Sequence, residues 1–255
     1  MSSFRSHTPD RIDALLPVSL RLHREWRSAL ETLSYGGALP PLPPAVRAAL
    51  REAGHVDLAY EDDGVDPLAS PAFGILYSRL RAEQVLRAVS ARTNLTLAGT
   101  TVAVVGDGAL SAALTSSLRT LGAMVVRVTD APVAALAAHL DGLRVRPLRD
   151  ISRTDTPVHL TVLTGEGHGI LSLESLTGLI ADASPRGTIA GTDGASPSHR
   201  PFVTTAGPAL LVEVPSPLPT EGAASTAPQR RVLDALIAWR LLDGDDDRFA
   251  EEVIA

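Results

Sequence analysis

The chain contains no cysteine. Disulfides, thiolate nucleophiles and thiolate metal ligation are therefore excluded together. Lysine is missing too, because all 23 residues of the Lys+Arg total are arginines. Arginine keeps its proton at any working pH and forms no Schiff base, so lysine bases, Schiff-base chemistry and phosphate-loop lysines are out of reach. A GC-rich coding bias accounts for such an exchange, and the Ala-, Arg- and Pro-rich sequence fits it. Aromatics make up 4% of a chain that is 45% hydrophobic, which predicts an aliphatic core. No apolar run approaches the roughly 20 residues of a membrane span. The opening MSSFRSHTPD lacks the apolar centre of a signal peptide, so a cytoplasmic protein is expected. A net charge of −6 argues against a broad nucleic-acid footprint. The seven histidines show neither H-x-x-x-H nor H-E-x-x-H spacing, and no metal site is expected.

What is present is an alternation of strands and helices. At 255 residues the chain suits one large domain, or a mid-sized one with an appendage. Residues 1–72 read as a small, mostly helical and irregular region. In it TPDRIDALLPVSLRLHREWRSALETL carries a helical rhythm through Leu15, Leu20, Leu22, Trp26, Leu30 and Leu33, interrupted at Pro17. YGGALPPLPP reads as an extended linker, PAVRAALREAG as a short helix and YEDDGVDPLASP as an acidic loop. From Phe73 the pattern is regular. A long amphipathic linker helix over 73–94 precedes the strand TTVAVVG, the helix ALSAALTSSLRTLG, the strand AMVVRVTD and the helix APVAALAAHLDG. HLTVLTG reads as a strand, SLESLTGLIADAS as a helix, and GTIAGTDG and PALLVEVP as strands. A closing helix, TAPQRRVLDALIAWRLLDG, is capped by Thr226 and followed by an acidic tail that is frayed or docked on a partner. The predicted fold class is α/β: a Rossmann-like doubly wound parallel sheet over 73–225, with 226–255 as a C-terminal helix and tail.

The stretch after the first buried strand, Gly106-Asp107-Gly108-Ala109-Leu110-Ser111, has the G-x-G-x-x-G/A form. The first glycine permits the tight turn, the second lets backbone approach a pyrophosphate, and the third position needs only a small residue, so Ser111 suffices. The helix then presents its positive end to the phosphates. Asp107 is awkward there unless it points to solvent. Asp130, ending the second strand, suits a ribose hydroxyl. NAD or NADP is the expected cofactor, with a nucleotide-fold domain that binds something else, or nothing, as the alternative.

These residues carry a resemblance. ARTNLTLAGTTVAVVGDGALSAALTSSLRTLGAMVVRVTDAPVAALAAHLDGLRV resembles the NAD domain of S-adenosylhomocysteine hydrolases. The shared pieces are Arg92-Thr93-Asn94, Leu97-Ala98-Gly99-Thr100, Leu121-Gly122-Ala123, Pro132, Ala135-Leu136 and Asp141-Gly142. HLTVLTGEGHGIL is similar to that family's V-T-x-T-G-N segment, which adds Thr164 and Gly165 to the expected cofactor contacts. The likeness covers about residues 73–196 and does not reach the family's larger substrate domain. The departures lie in the chemistry. Ala72 and Gly74 stand where the family has the lysine and aspartate that help oxidise the ribose 3′-hydroxyl. Gly191-Thr192-Asp193-Gly194-Ala195-Ser196 replaces N-x-G-H-F-D, and Thr129 stands at the ribose-binding glutamate, with Asp130 one residue late.

Two loops beyond the expected strand ends carry reactive groups. TGEGHG holds Glu166 and His168, and GTDGASPSH holds Asp193, Ser196, Ser198 and His199. A histidine oriented by a carboxylate is a general acid or base, which makes His168, Glu166 and Asp193 the catalytic candidates; ordinary loop residues fit the same positions. Ser116 and Ser117 lie on a helix without a nucleophile elbow, and Arg79 and Arg81 suit either an anionic substrate or a charged helix face. Three readings stay open: an NAD(P)-binding enzyme of specialised, biosynthetic metabolism, a non-catalytic binding or regulatory homologue (a pseudoenzyme), and a non-redox cyclase or lyase. A small-molecule ligand is the expected partner, and the apolar stripe Val232, Leu236 and Leu241 suits a homodimer or higher oligomer as well as its own sheet. With the base and acids of the family gone, the purified protein is expected to release no adenosine from S-adenosylhomocysteine, a result that chromatography of the reaction mixture checks.

Overall fold

The computed structural model describes residues 32–54, 57–152, 157–192, 195–221, 223 and 225–254. They form two compact units, one within residues 81–215 and one of the described residues up to 80 together with those from 216 onward. The units divide at 80/81 and 215/216, and the chain returns to its first unit at the end.

The unit of residues 81–215 is built on one sheet. Its parallel strands are β3 (Thr101–Val105), β4 (Met124–Val128), β5 (Arg144–Arg146), β6 (Leu160–Leu163), β8 (Gly178–Asp182) and β12 (Ala209–Val212), in the spatial order β12-β8-β6-β3-β4-β5. Antiparallel β11 (Val203–Ala206) and β10 (Ser196–Pro197) extend the β12 edge. The order is that of a doubly wound dinucleotide-binding sheet, with its topological switch between β3 and β6. Side chains alternate across it. Val102, Val104, Val125, Leu160 and Val162 face one way, towards α2 (Pro71–Thr93) and α3 (Ala109–Thr120). Ala103, Val105, Val126, Val128, Leu163 and Ile180 face the other, where the 3-10 turns Leu148–Asp150 and Leu173–Ser175 cover them. α4 (Pro132–Leu140) borders α3 across a groove of about 490 Å³.

Two expected elements differ. SLESLTGLIADAS is the short strand β7 (Leu171–Ser172), a 3-10 turn and the buried strand β8. A strand buried on both faces reads as an unbroken apolar run, which periodicity cannot tell from a buried helix. Among its described residues GTIAGTDG contributes β9 (Ile189–Ala190), paired with β7 apart from the main sheet. Arg81, expected to suit an anionic substrate or a charged face, is 2% exposed, and its guanidinium donates to the carbonyls of Ala183, Ser184 and Pro215 and to Gln84. It clamps the end of β8 to the segment after β12. Arg79 is exposed.

The other unit pairs β1 (Thr32–Tyr35) with β2 (Asp57–Tyr60) in parallel and adds α1 (Pro44–Gly54), the start of α2, α5 (Ala227–Leu241) and α6 (Asp246–Ile254). Thr32–Tyr35 is therefore a strand, not the end of a helix; residues 8–31 of that expected helix lie outside the described residues. The expected cap is present: the Thr226 hydroxyl accepts from Gln229 N–H and the Gln229 side chain accepts from Thr226 N–H. The acidic tail is α6, and Phe249 on it is 1% exposed.

The aliphatic core expected from the composition holds for one unit only. No aromatic residue enters the two clusters around the large sheet. In the other unit Phe73 lies 5.9 Å from Trp239, and 6.2 Å from each of Phe249 and Tyr77, between ring centroids. Tyr35 and Tyr60 meet edge to face at 5.3 Å. Truncating Phe249 to alanine opens a cavity in this cluster and is expected to lower stability by about 3–5 kcal/mol, read from urea unfolding followed by tryptophan fluorescence.

Candidate functional site at the switch point

The carboxyl ends of β3 and β6 carry the two loops that meet at the switch point. Gly106 leaves β3, its N–H bonded to the Val128 carbonyl at 3.0 Å, and Gly108 sits at the cap position of α3. Leu110 and Ser111 begin the helix buried, and their N–H groups point out of its first turn without partners in the helix. In a dinucleotide-binding domain these amides meet a phosphate.

Here they meet Glu166. The Leu110 N–H donates to Glu166 Oε1 at 2.8 Å and the Ser111 N–H donates to Oε2 at 2.8 Å. One carboxylate thus satisfies both orphan donors, with the helix dipole behind them. The approach needs Gly108, since a Cβ there would stand 2.5 Å from Glu166 Oε1. A second contact interlocks the loops from the opposite side. Asp107 packs its carboxylate on Gly167, at a φ of +69°, where a side chain would overlap it. Thr164 completes the closure by donating from its hydroxyl to the Val105 carbonyl at 2.8 Å.

Beneath this closure lies Arg127 of β4. It is 6% exposed and donates to the Gly106 carbonyl at 2.8 Å, to Ser111 Oγ at 3.0 Å and to Thr115 Oγ1 at 3.2 Å. Its Nε has no hydrogen-bond partner among the described residues. Burial pushes the guanidinium below its ordinary range, while the Glu166 and Asp107 carboxylates pull it back up. The three charges form one cluster, positive within and negative at the rim. Sequence reasoning passed over Arg127; the available signal was a charged residue inside the otherwise apolar strand MVVRV.

The other candidates are engaged elsewhere. His168 Nε2 lies 3.1 Å from the Gly165 N and Nδ1 lies 2.9 Å from the Gly169 carbonyl, so both ring nitrogens face the backbone of their own loop. Glu166 and His168 therefore share a loop but are each bonded to backbone rather than to one another. Asp130 accepts from the Leu148 N–H at 2.8 Å, and Thr129 Oγ1 accepts from the Ala131 N–H at 3.1 Å. Ala109, opening α3, is exposed. Asp193 lies outside the described residues. Ser196 pairs at the far β10 edge, and His199 is exposed just beyond it, away from the switch. Asp182, ending β8, was not anticipated: its carboxylate accepts from the backbone N–H groups of Ser184 at 2.9 Å and Thr188 at 2.6 Å, shaping the next loop. Ser116 borders the groove on the exposed face of α3.

Strand order and glycine turn define a dinucleotide-binding Rossmann domain. More particularly, residues 77–184 match the S-adenosyl-L-homocysteine hydrolase NAD-binding domain family. The match covers less than half of the chain. No curated protein matches the chain. Solved structures similar to it include dipicolinate synthase from Bacillus halodurans (16% identity, 61% of this chain and 52% of that one, TM-score 0.44). Dipicolinate synthase from Bacillus subtilis is 14% identical over 97% of this chain and 72% of that one, with a TM-score of 0.48. Transhydrogenase from Sinorhizobium meliloti is 16% identical over 81% and 64%, with a TM-score of 0.49. The chain spans about half the length of the Bacillus halodurans protein, 52%. Among the described residues no helix is long and apolar enough to cross a membrane, and no group of acidic residues and histidines could hold a metal ion.

Replacing Arg127 by methionine keeps the volume but strands three acceptors and removes the charge facing Glu166. The expected loss is about 2–4 kcal/mol of unfolding free energy, measured by urea denaturation followed by circular dichroism.

Proposed function

We propose that this chain is a non-catalytic relative of the hydrolases, a binding or regulatory protein that keeps the dinucleotide-binding fold without the chemistry. The observation that carries the reading is the pair of 2.8 Å bonds from the Leu110 and Ser111 N–H groups to Glu166. A helix end that would otherwise need a phosphate is satisfied by the chain itself. The supporting facts point the same way. His168 is held by its own loop, Asp130 by the Leu148 amide, and Ala72 and Gly74 stand at the positions of the family's lysine and aspartate. No acid–base pair is assembled between Glu166 and His168.

A second reading, an NAD(P)-dependent enzyme, draws on the preserved Gly106–Ser111 turn and the match of residues 77–184 to an NAD-binding domain. Thermal shift separates the two. A ligand at about 100 times its Kd stabilises by about 2.7 kcal/mol, which for a domain of this size raises the Tm by more than about 5 °C. The non-catalytic reading expects less than about 1 °C from 1 mM NAD+ or NADP+, and no dinucleotide in the native mass spectrum of freshly purified protein. A stoichiometric dinucleotide in that spectrum overturns the expectation of a self-filled seat and favours the second reading, which turnover of a substrate then tests.

A further inference from the structure

The switch-point crevice is closed by side chains from two loops far apart in sequence, and the closure uses the same amides that a diphosphate would use. From this geometry we infer that Glu166 is a built-in competitor, an autoinhibitory contact that a dinucleotide's diphosphate must displace to bind. The inference rests on the reading of a seat that the chain fills for itself, and it adds what opens that seat.

Three observations converge on it. The Glu166 oxygens each take one N–H, of Leu110 and of Ser111, so a phosphate and this carboxylate cannot occupy the first turn of α3 together. The hydrogen bonds of the positive charge beneath do not involve Glu166: Arg127 is held by the Gly106 carbonyl, Ser111 Oγ and Thr115 Oγ1. Its buried Nε has no hydrogen-bond partner among the described residues, so the guanidinium keeps one donor unspent. Finally, the loop bearing Glu166 also bears His168, whose ring is bonded among the described residues to Gly165 and Gly169. The 164–169 loop is therefore held by its own backbone bonds as well as by Glu166, and the carboxylate can leave without unmaking them.

The competition is one of charge. A dinucleotide diphosphate brings about two negative charges to a helix end and a guanidinium that the Glu166 and Asp107 carboxylates now face, and removing Glu166 leaves both amide donors orphaned. Removing Glu166 should therefore tighten binding without any new contact.

Titration calorimetry on the full chain tests this, with NAD+ and, separately, inorganic pyrophosphate as probes. Glu166→Ala is expected to bind both at least ten-fold more tightly than the unmodified chain, with Glu166→Gln between the two. Glu174→Gln, which removes the same charge from an exposed turn, is expected to match the unmodified chain. Equal affinity of the Glu166→Ala variant and the unmodified chain, within two-fold, overturns the inference, whether both bind or neither does. A gain for NAD+ without one for pyrophosphate overturns it as well, since the contested groups are the phosphates. Should Glu166→Ala fail to fold, hydrogen exchange on the unmodified protein decides. Ligand-free protection of the Leu110 and Ser111 amides is expected, and exchange of both at the unprotected rate sinks the proposal. A catalytic turnover by the unmodified chain would remove the non-catalytic reading but leave this affinity ratio standing.

Discussion

The structure of the switch point depends on one carboxylate meeting two backbone amides. The first turn of an α-helix always leaves donors without helical partners, and burial makes them costly to leave so. In this chain Leu110 and Ser111 are both buried at the head of α3, and Glu166 is what satisfies them. From that bond the rest follows: the tip of β3 is fixed to the tip of β6, Asp107 is directed onto Gly167, and the crevice that the sheet topology creates is filled from within.

Arg127 explains why a carboxylate is at home there. A buried guanidinium beside only neutral acceptors raises the local potential, and desolvation works against its charge. Two carboxylates at the rim, Glu166 and Asp107, counter that cost. Asp107, which looks misplaced in a phosphate-binding turn when read alone, is thus half of the compensation for an arginine twenty residues further along.

Much of the fold was legible because parallel α/β units announce themselves. TTVAVVG, AMVVRVTD and HLTVLTG are apolar runs closed by glycine or acidic turns, and each became a central strand. The resemblance to the hydrolase family drew on the same stretch that matches its NAD-binding domain. LTGLIADA was not legible, since β8 is identified by its neighbours β6 and β12 rather than by any period of its own. Nor was the closure. Glu166 stands where the family's T-G-N segment ends in asparagine, and a carboxylate after Thr164-Gly165 suggested catalysis as readily as capping. Which of the two it does is decided by the register of β3 against β6, a contact between residues some 60 apart in the chain.

The uneven distribution of aromatic residues has an optical consequence. Residues 81–215 contain neither tryptophan nor tyrosine, only Phe202. Trp239 and the three tyrosines all belong to the other unit. Excited in the near ultraviolet, the protein therefore emits from one half while the Rossmann half stays dark. Any emission that changes when a ligand meets residues 81–215 alone is therefore not emission from a tryptophan or tyrosine of that unit.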